Sequence, residues 1–174
     1  LRDFERFLRI LAARSGNVLN KSEIARDVGV SVKAIGDWVS VLQASGQIIL
    51  LEPWFTNISK RVVKTPKVYF RDSGLLCFLL NLTEETLPKS YALGSVWETF
   101  IFAELRKLSS FMSTPLNMWF YRDQQAREID FVIDTGGELS FVEVKWQERP
   151  SISEAKTIRA VSQELRQSAL PRRP

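Results

Sequence analysis

The sequence predicts a mixed α/β (α+β) protein with two domains, and three observations support this. Apolar residues recur at helical spacing in several stretches of the chain. Runs of strand-forming residues flank the Gly136–Gly137 pair, which is a strong short-range signal of a β-hairpin. A polar segment with a proline lies between two more apolar halves. We therefore place an N-terminal domain at residues 1–82, a linker at 83–92 and a C-terminal domain at 93–174.

The predicted hairpin brings several charged residues together. If the Gly-Gly pair forms a two-residue loop, Asp130 lies directly opposite Glu143, and Glu128 lies opposite Lys145. The intervening Ile, Phe and Val residues then point to the other side of the pleat. We expect one apolar face and one charged face.

The charged face has a chemical interpretation. Two carboxylates opposed across a ladder repel each other, so Asp130 and Glu143 require a cation between them. Lys145 supplies one positive charge, and a divalent metal could supply the rest. Two carboxylates and a lysine are what metal-dependent phosphodiesterases use to hold a hard cation and to position a water. The alternative, which remains open, is a cross-strand ion pair without catalysis.

Composition and charge exclude several classes of function. The net charge is +4, and its excess lies in residues 1–92. The chain has no histidine, which excludes a histidine base or a histidine-rich zinc site. A single cysteine, Cys77, excludes an intramolecular disulfide and fits a reduced, cytoplasmic setting. Neither a signal peptide nor an apolar run of about 18 to 20 residues is present, so no membrane association is expected.

The N-terminal half predicts a winged helix. Asn20 and Glu23 form a capping-box pattern for a second helix, and Ser31 caps a third, which gives a helix-turn-helix. Two strands follow, at residues 47–55 and 67–70, and a basic loop joins them. Helix-turn-helix, strand, basic loop and strand are the parts of a winged helix-turn-helix domain.

Basic residues in or beside this wing are candidate nucleic-acid contacts. They are Lys60, Arg61, Lys64 and Lys67. Such residues can contact phosphates without reading bases. Lys33 is the cationic residue on the exposed side of the third helix, where Asp37 neutralises it. We therefore favour phosphate contacts or protein docking over base reading, and a solvated basic turn remains the alternative.

The C-terminal half begins with a helix that carries a candidate acidic residue. Ser95 is the expected N-cap, and Glu98 three residues later completes a capping box. Glu98 also shares a helical face with apolar residues, so its carboxylate could be directed at another group. A strand at residues 117–123 then precedes the hairpin, and a helix at about 153–167 follows it.

This order of elements resembles the core of the PD-(D/E)xK nuclease superfamily. The acid on the first helix corresponds to Glu98, the acid on the second strand to Asp130, and the terminal pair to Glu143 and Lys145. The resemblance implies a restriction-endonuclease-like α-β-β-β-α core in which these four residues are catalytic. It also implies that Asp130, Glu143 and Glu98 bind Mg²⁺, or Mn²⁺ in its place, and that Lys145 polarises the nucleophile.

A longer resemblance covers nearly the whole chain. It rests on the segments SKRVVKTPKVYFRDSGLLCFLL, GSVWETFIFAEL, FYRDQQAREIDFVI and FVEVK. Together they are similar to the C-terminal domain of unknown function that follows the ATPase module in many bacterial and archaeal AAA-type ATPases. The chain lacks a G-x-x-x-x-G-K-[ST] phosphate loop, so the resemblance implies an ATP-binding module before Leu1. Members usually continue into another strand, so we expect the nuclease-like core to be truncated.

Three functions follow from these observations. The first is a nucleic-acid-associated C-terminal module of an AAA-type ATPase with a magnesium-dependent nuclease-like site. The second is a non-catalytic scaffold that docks the ATPase part or a protein partner. The third is a winged-helix regulator that binds DNA.

Overall fold

The computed structural model describes residues 1–54, 65–123, 125–149, 151 and 155–169. It confirms the mixed α/β class, with helices and two small antiparallel sheets. The described residues form two compact units. The first contains residues 1–50 and 65–105, and the second contains residues 51–54 and the described residues from Arg106 onward.

The elements of the first half are α1 (Arg2–Ala12), β1 (Asn17–Val18), α2 (Lys21–Val28), α3 (Val32–Ala44), β2 (Ile48–Leu51), β3 (Lys67–Phe70) and α4 (Ser73–Leu79). After a 3-10 turn at Leu87–Lys89 come α5 (Leu93–Phe111), β4 (Asn117–Arg122), β5 (Glu128–Asp134), β6 (Leu139–Val142) and α6 (Ala155–Ala169). Among the described residues, no helix is both long enough and apolar enough to cross a membrane.

Side-chain caps define the ends of α2 and α3, as predicted. The Asn20 Oδ1 atom accepts a hydrogen bond from the Glu23 backbone N–H at 3.1 Å. Gly29 ends α2 in the left-handed conformation, with a φ angle of 86°. The Ser31 Oγ atom accepts from the Ala34 N–H at 3.1 Å and begins α3. The helix-turn-helix order of elements is therefore confirmed.

The first sheet has the order β1-β3-β2, and it differs from the prediction at two points. The two-residue strand β1, which pairs with β3 through Asn17 and Val68, is too short to give a periodic signal. The second strand was predicted at residues 47–55, but β2 ends at Leu51. Pro53 instead makes an isolated parallel bridge to Phe120 of β4, because proline has no N–H for a continuing ladder.

The core of the first unit lies between the helices and this sheet. Phe7, Ile24, Ile35 and Val68 are fully buried in one apolar cluster. Each such side chain contributes about 1.5–3 kcal/mol through burial. This packing holds α1, α2 and α3 in place around β3.

The helix α5 starts earlier in the chain than the capping box at Ser95 predicted. The helix begins at Leu93, so Ser95 lies inside its first turn, and the Ser95 Oγ donates to the Ala92 carbonyl at 2.9 Å. Ser90 comes before the helix, and its Oγ accepts a hydrogen bond from the Ala92 N–H at 3.1 Å. The prediction that Ser95 is the N-cap is therefore wrong, because the chain turns into the helix earlier.

The second unit contains the sheet β4-β5-β6, in which the hairpin has the predicted register. Phe131 pairs with Val142, and Thr135 donates its N–H to the Glu138 carbonyl at 3.1 Å. Gly136 and Gly137 have φ angles of 84° and 101°, which glycine adopts without strain. The Gly-Gly loop thus sets the alignment of β5 and β6.

The prediction that one face of the hairpin is charged is only partly correct. Val132 lies on the same side of β5 as Asp130, yet it is fully buried in an apolar cluster with Val161 of α6. Ile129 and Phe131 are also fully buried. Both faces of β5 are covered, so the charged residues form a small group near one end of the strand.

Candidate functional site

The hairpin brings Asp130 and Glu143 to neighbouring positions near the start of β5. Asp130 is 7% exposed. Its Oδ2 atom accepts a hydrogen bond from the Val144 backbone N–H at 2.8 Å. This contact lies beyond the last paired residues, Phe131 and Val142. The Asp130 carboxylate therefore holds the segment that carries Glu143 after the backbone ladder has ended.

Lys145 completes this group, which we call the hairpin cluster: Asp130, Glu143 and Lys145. The Lys145 Nζ donates to Glu143 Oε1 at 2.6 Å. The Lys145 side chain is 46% exposed and the Glu143 side chain is 26% exposed. Two of the three charges therefore remain accessible to a solute, while the third is buried.

The surroundings of Glu143 disfavour the charged form of its carboxyl group. Burial raises the pKa of Glu143, and the charges of Asp130 and Glu128 raise it further. The hydrogen bond and the positive charge of Lys145 act in the opposite direction. The net shift is upward, so the ammonium of Lys145 does not fully offset burial and the two neighbouring carboxylates.

Glu128 was expected opposite Lys145, and the structure gives it an ion pair with Arg122 on its other side. The two residues face each other across β4 and β5, with 3.3 Å between Arg122 Nη1 and Glu128 Oε2. Sequence reasoning missed this pair because it considered the hairpin alone.

The described residues contain no group of three or more histidine, cysteine, aspartate or glutamate side chains arranged to hold a metal ion. Of the three predicted metal ligands, Asp130 and Glu143 both belong to the second compact unit. Mg²⁺ commonly binds through one or two carboxylates together with waters and substrate phosphates. The donor chemistry of this pair fits that mode, with most of the coordination supplied by water or substrate.

Glu98, the predicted acid on the helix, belongs to the first unit. Lys67 Nζ donates to Glu98 Oε1 at 3.2 Å, and the Tyr69 hydroxyl donates to the same oxygen. The Glu98 carboxylate also lies against Gly16. The capping-box interpretation of Glu98 is thus replaced by an ion pair between α5 and β3.

The structure describes two of the five residues that were predicted to contact nucleic acid, Lys67 and Lys33. Lys67 is only 1% exposed, which differs from the exposed phosphate contact that the sequence suggested. The Lys33 side chain is 88% exposed and lies 3.6 Å from the Asp37 carboxylate, as expected. Lys60, Arg61 and Lys64 lie outside the described residues.

A second charged network was not predicted. Asp123 is 3% exposed, and its carboxylate accepts hydrogen bonds from the backbone N–H groups of Gln125 and Arg127. The Arg127 side chain donates to Asp123 Oδ2 at 2.7 Å and, through both terminal nitrogens, to Glu164 of α6 at 2.9 and 3.0 Å. This network fastens α6 to the β4–β5 loop.

The charges in this network shift one another's proton affinities. Hydrogen bonds to Glu164 and Asp123 raise the pKa of Arg127. The hydrogen bonds from Arg127 lower the pKa of Glu164. One sequence signal could have suggested part of this network: Asp123 precedes Arg127 by four residues in the segment between β4 and β5.

Comparison with known proteins identifies two matched regions. Residues 1–86 match a family described as a domain of unknown function (DUF8612), and residues 93–172 match another domain of unknown function (DUF4143). Two uncharacterized proteins, Mb2031c of Mycobacterium bovis and Rv2008c of Mycobacterium tuberculosis, are each 31% identical over 162 residues. These alignments cover 92% of this chain and 36% of each relative, so the chain spans about a third of their length. No solved structure matches the chain.

The family matches and the compact units divide the chain at different places. The first match ends at residue 86 and the second begins at residue 93, on either side of most of the predicted linker at 83–92, whereas the first compact unit extends into α5 as far as Leu105. Contacts such as Glu98 with Lys67 explain why the start of α5 groups with the first unit.

Proposed function

We propose that this chain is the C-terminal module of an AAA-type ATPase. The family matched by residues 93–172 is commonly a C-terminal domain of such ATPases. The relatives are about 450 residues long, since 162 aligned residues make up 36% of each, and the remaining ~290 residues are enough for an ATPase module. In this proposal ATP binds to that module, and the single Cys77 fits a cytoplasmic location.

We further propose that the hairpin cluster is a metal-dependent phosphodiesterase site acting on nucleic acid. The observation that carries this proposal is the placement of Asp130, Glu143 and Lys145 within one short segment, with a hydrogen bond from Lys145 to Glu143. The formal charge of the cluster supports it, because two carboxylates and one ammonium leave a negative charge that a cation would balance.

Each residue has a distinct role in this proposal. Asp130 and Glu143 would bind Mg²⁺ or Mn²⁺, which when bound would neutralise charge on a phosphate and lower the pKa of a coordinated water. Asp130 also holds the Val144 backbone and thereby positions Glu143. Lys145, which is nearly half exposed, can donate a hydrogen bond to the attacking water. Glu98 belongs to the other compact unit, and its carboxylate accepts hydrogen bonds from Lys67 and Tyr69, so the proposed site rests on Asp130, Glu143 and Lys145.

A cleavage assay tests the site. Single- and double-stranded DNA and RNA would be incubated with the chain while Mg²⁺ or Mn²⁺ is titrated. We expect metal-dependent cleavage that Asp130→Asn and Lys145→Met abolish. Glu138→Gln is the matched control, since Glu138 is an exposed carboxylate on the same hairpin. Cleavage that survives both cluster substitutions would exclude this assignment.

The second candidate is a non-catalytic scaffold that docks the ATPase part or a protein partner. Two observations favour it: the described residues contain no group of three metal-binding side chains, and Glu143 is already paired with Lys145. Titration calorimetry with Mn²⁺ separates the candidates. Heat of binding that disappears in Asp130→Asn supports the enzyme, and the absence of binding at millimolar Mn²⁺ supports the scaffold.

Nucleic-acid binding by the first unit is proposed through phosphates alone. Lys33 is exposed but paired with Asp37, so the described part of α3 offers little for base reading. Affinity should fall steeply with salt and vary little with sequence. Strong sequence preference at constant salt would instead favour the third candidate, a DNA-binding regulator.

A further inference from the structure

We propose that Trp146 is a stacking platform for an unpaired base, so that the nucleic acid which engages the hairpin cluster is single-stranded. This inference rests on the proposed function of the cluster. Trp146 follows Lys145 directly and is 56% exposed.

The position of Trp146 is set by the hairpin cluster. The Val144 N–H is bonded to Asp130 of β5, so the chain is held two residues before the indole, and the Lys145 side chain between them is bonded to Glu143. Exposed tryptophans occur singly on many surfaces, and exposure alone carries no meaning. What distinguishes this ring is its position two residues after Val144, whose N–H is bonded to the proposed metal ligand Asp130.

The charges beside the ring are suited to a nucleic-acid backbone. Lys145 precedes Trp146, and Glu148 and Arg149 follow it; all three are exposed, and their charges sum to +1. Cationic side chains around an exposed aromatic ring are the combination by which proteins hold single strands: the cations contact phosphates and the ring stacks on a base. An apolar protein partner would match the ring but not these flanking cations.

The strandedness follows from geometry. In a duplex the faces of the bases are stacked on their neighbours, so an indole ring on a protein surface meets only grooves and phosphates. In a single strand each base can turn its face outward and stack on an aromatic side chain. A platform at Trp146 therefore selects unpaired nucleotides next to Lys145.

Binding in EDTA tests this inference without cleavage. Fluorescence anisotropy of a labelled 12-nucleotide DNA strand, and of the same strand in a duplex, would be measured with the 174-residue chain. Loss of one stacked base by Trp146→Ala should weaken single-strand binding by about 5- to 100-fold. Duplex binding should change by less than about twofold, because phosphate contacts remain.

Two further variants make the result specific. Trp146→Phe keeps an aromatic face and should recover most of the single-strand affinity, which a folding defect would not allow. Tyr91→Ala removes another exposed aromatic ring, 97% exposed and in the first unit, and should leave binding unchanged.

The outcomes separate this inference from the proposed activity. Unchanged single-strand affinity in Trp146→Ala, equal losses for single strand and duplex, or no single-strand binding by the unsubstituted chain would each overturn the platform. Single-strand binding that depends on Trp146, without metal-dependent cleavage, would support the platform and refute the nuclease activity.

Discussion

Lys67 and Glu98 form an ion pair between β3 and α5, with 3.2 Å between Lys67 Nζ and Glu98 Oε1 and only 1% of the Lys67 side chain exposed. The pair joins a residue expected to contact phosphate to a residue expected to bind metal. The same pairing removes Lys67 from the surface and gives Glu98 a structural partner. Two residues that were predicted for two different sites thus contact each other.

Replacing Glu98 should destabilise the protein strongly. Glu98→Gln removes the negative charge opposite a buried ammonium, which typically costs about 3 kcal/mol in the free energy of unfolding. Lys67→Met should cost less, since it removes the buried charge itself and keeps most of the volume. Urea unfolding of each variant measures both effects.

The exposed pair Lys33–Asp37 provides the control for this prediction. Its side chains are 88% and 67% exposed, so Lys33→Met should change the unfolding free energy by less than about 0.5 kcal/mol. Equal effects of Lys33→Met and Glu98→Gln would contradict the structural role of the buried pair.

Gly16 should resist substitution because of its backbone conformation. Its φ angle is 82°, and an added Cβ would lie 3.4 Å from Glu98 Oε2, which is an ordinary contact. Gly16→Ala should therefore lower the unfolding free energy by about 1–2 kcal/mol through left-handed strain alone. Gly36→Ala, inside α3 with nothing within 4 Å of the new Cβ, should raise it by up to about 1 kcal/mol. Thermal unfolding of the two variants should show shifts of opposite sign.

The pKa of Glu143 should respond in opposite directions to its two neighbours in the hairpin cluster. Lys145→Met removes a hydrogen bond and a positive charge, so the pKa should rise further above its ordinary value of 4.5. Asp130→Asn removes a negative charge, so the pKa should fall. Carbon-detected NMR titration of the Glu143 carboxyl group measures both shifts, and a fall in Lys145→Met would contradict the arrangement.

The same shift predicts how Glu143 affects stability. The folded protein binds the Glu143 proton more tightly than the unfolded chain does. The contribution of this group to the unfolding free energy should therefore decline as pH rises from about 4.5 through the folded pKa, and stay constant above it. Comparing the pH dependence of urea unfolding for the unsubstituted chain and Glu143→Gln isolates this contribution.

Arg127 should hold α6 on the sheet. Arg127→Met removes the two guanidinium hydrogen bonds to the Glu164 carboxylate. The pKa of Glu164 should then rise toward its ordinary value, and amide exchange in α6 should accelerate. Arg122→Met is a suitable control, because Arg122 forms an ion pair with Glu128 of the neighbouring strand β5. Hydrogen exchange measured by NMR or mass spectrometry tests this, and equal acceleration in both variants would argue against a specific fastening role.

Local signals in the sequence predicted much of the fold. The caps at Asn20 and Ser31 act over three residues, so their sequence pattern contains the whole interaction. The start of α5 was missed because the chain turns before the helix, where Ser90 accepts from the Ala92 N–H, and the Ser95 hydroxyl donates to the Ala92 carbonyl from inside the first turn. The buried second face of β5 was missed because it depends on α6, which lies well beyond the hairpin.

The sequence by itself determined the hairpin and its register, and with it the proximity of Asp130, Glu143 and Lys145. A two-residue loop and a side-chain period of two leave one alignment that keeps the apolar residues together. Only the tertiary structure decided the partners of Glu98 and Lys67, which lie 31 residues apart in the chain. Which carboxylate meets a buried cation depends on how distant elements pack, and no spacing along the chain encodes that choice.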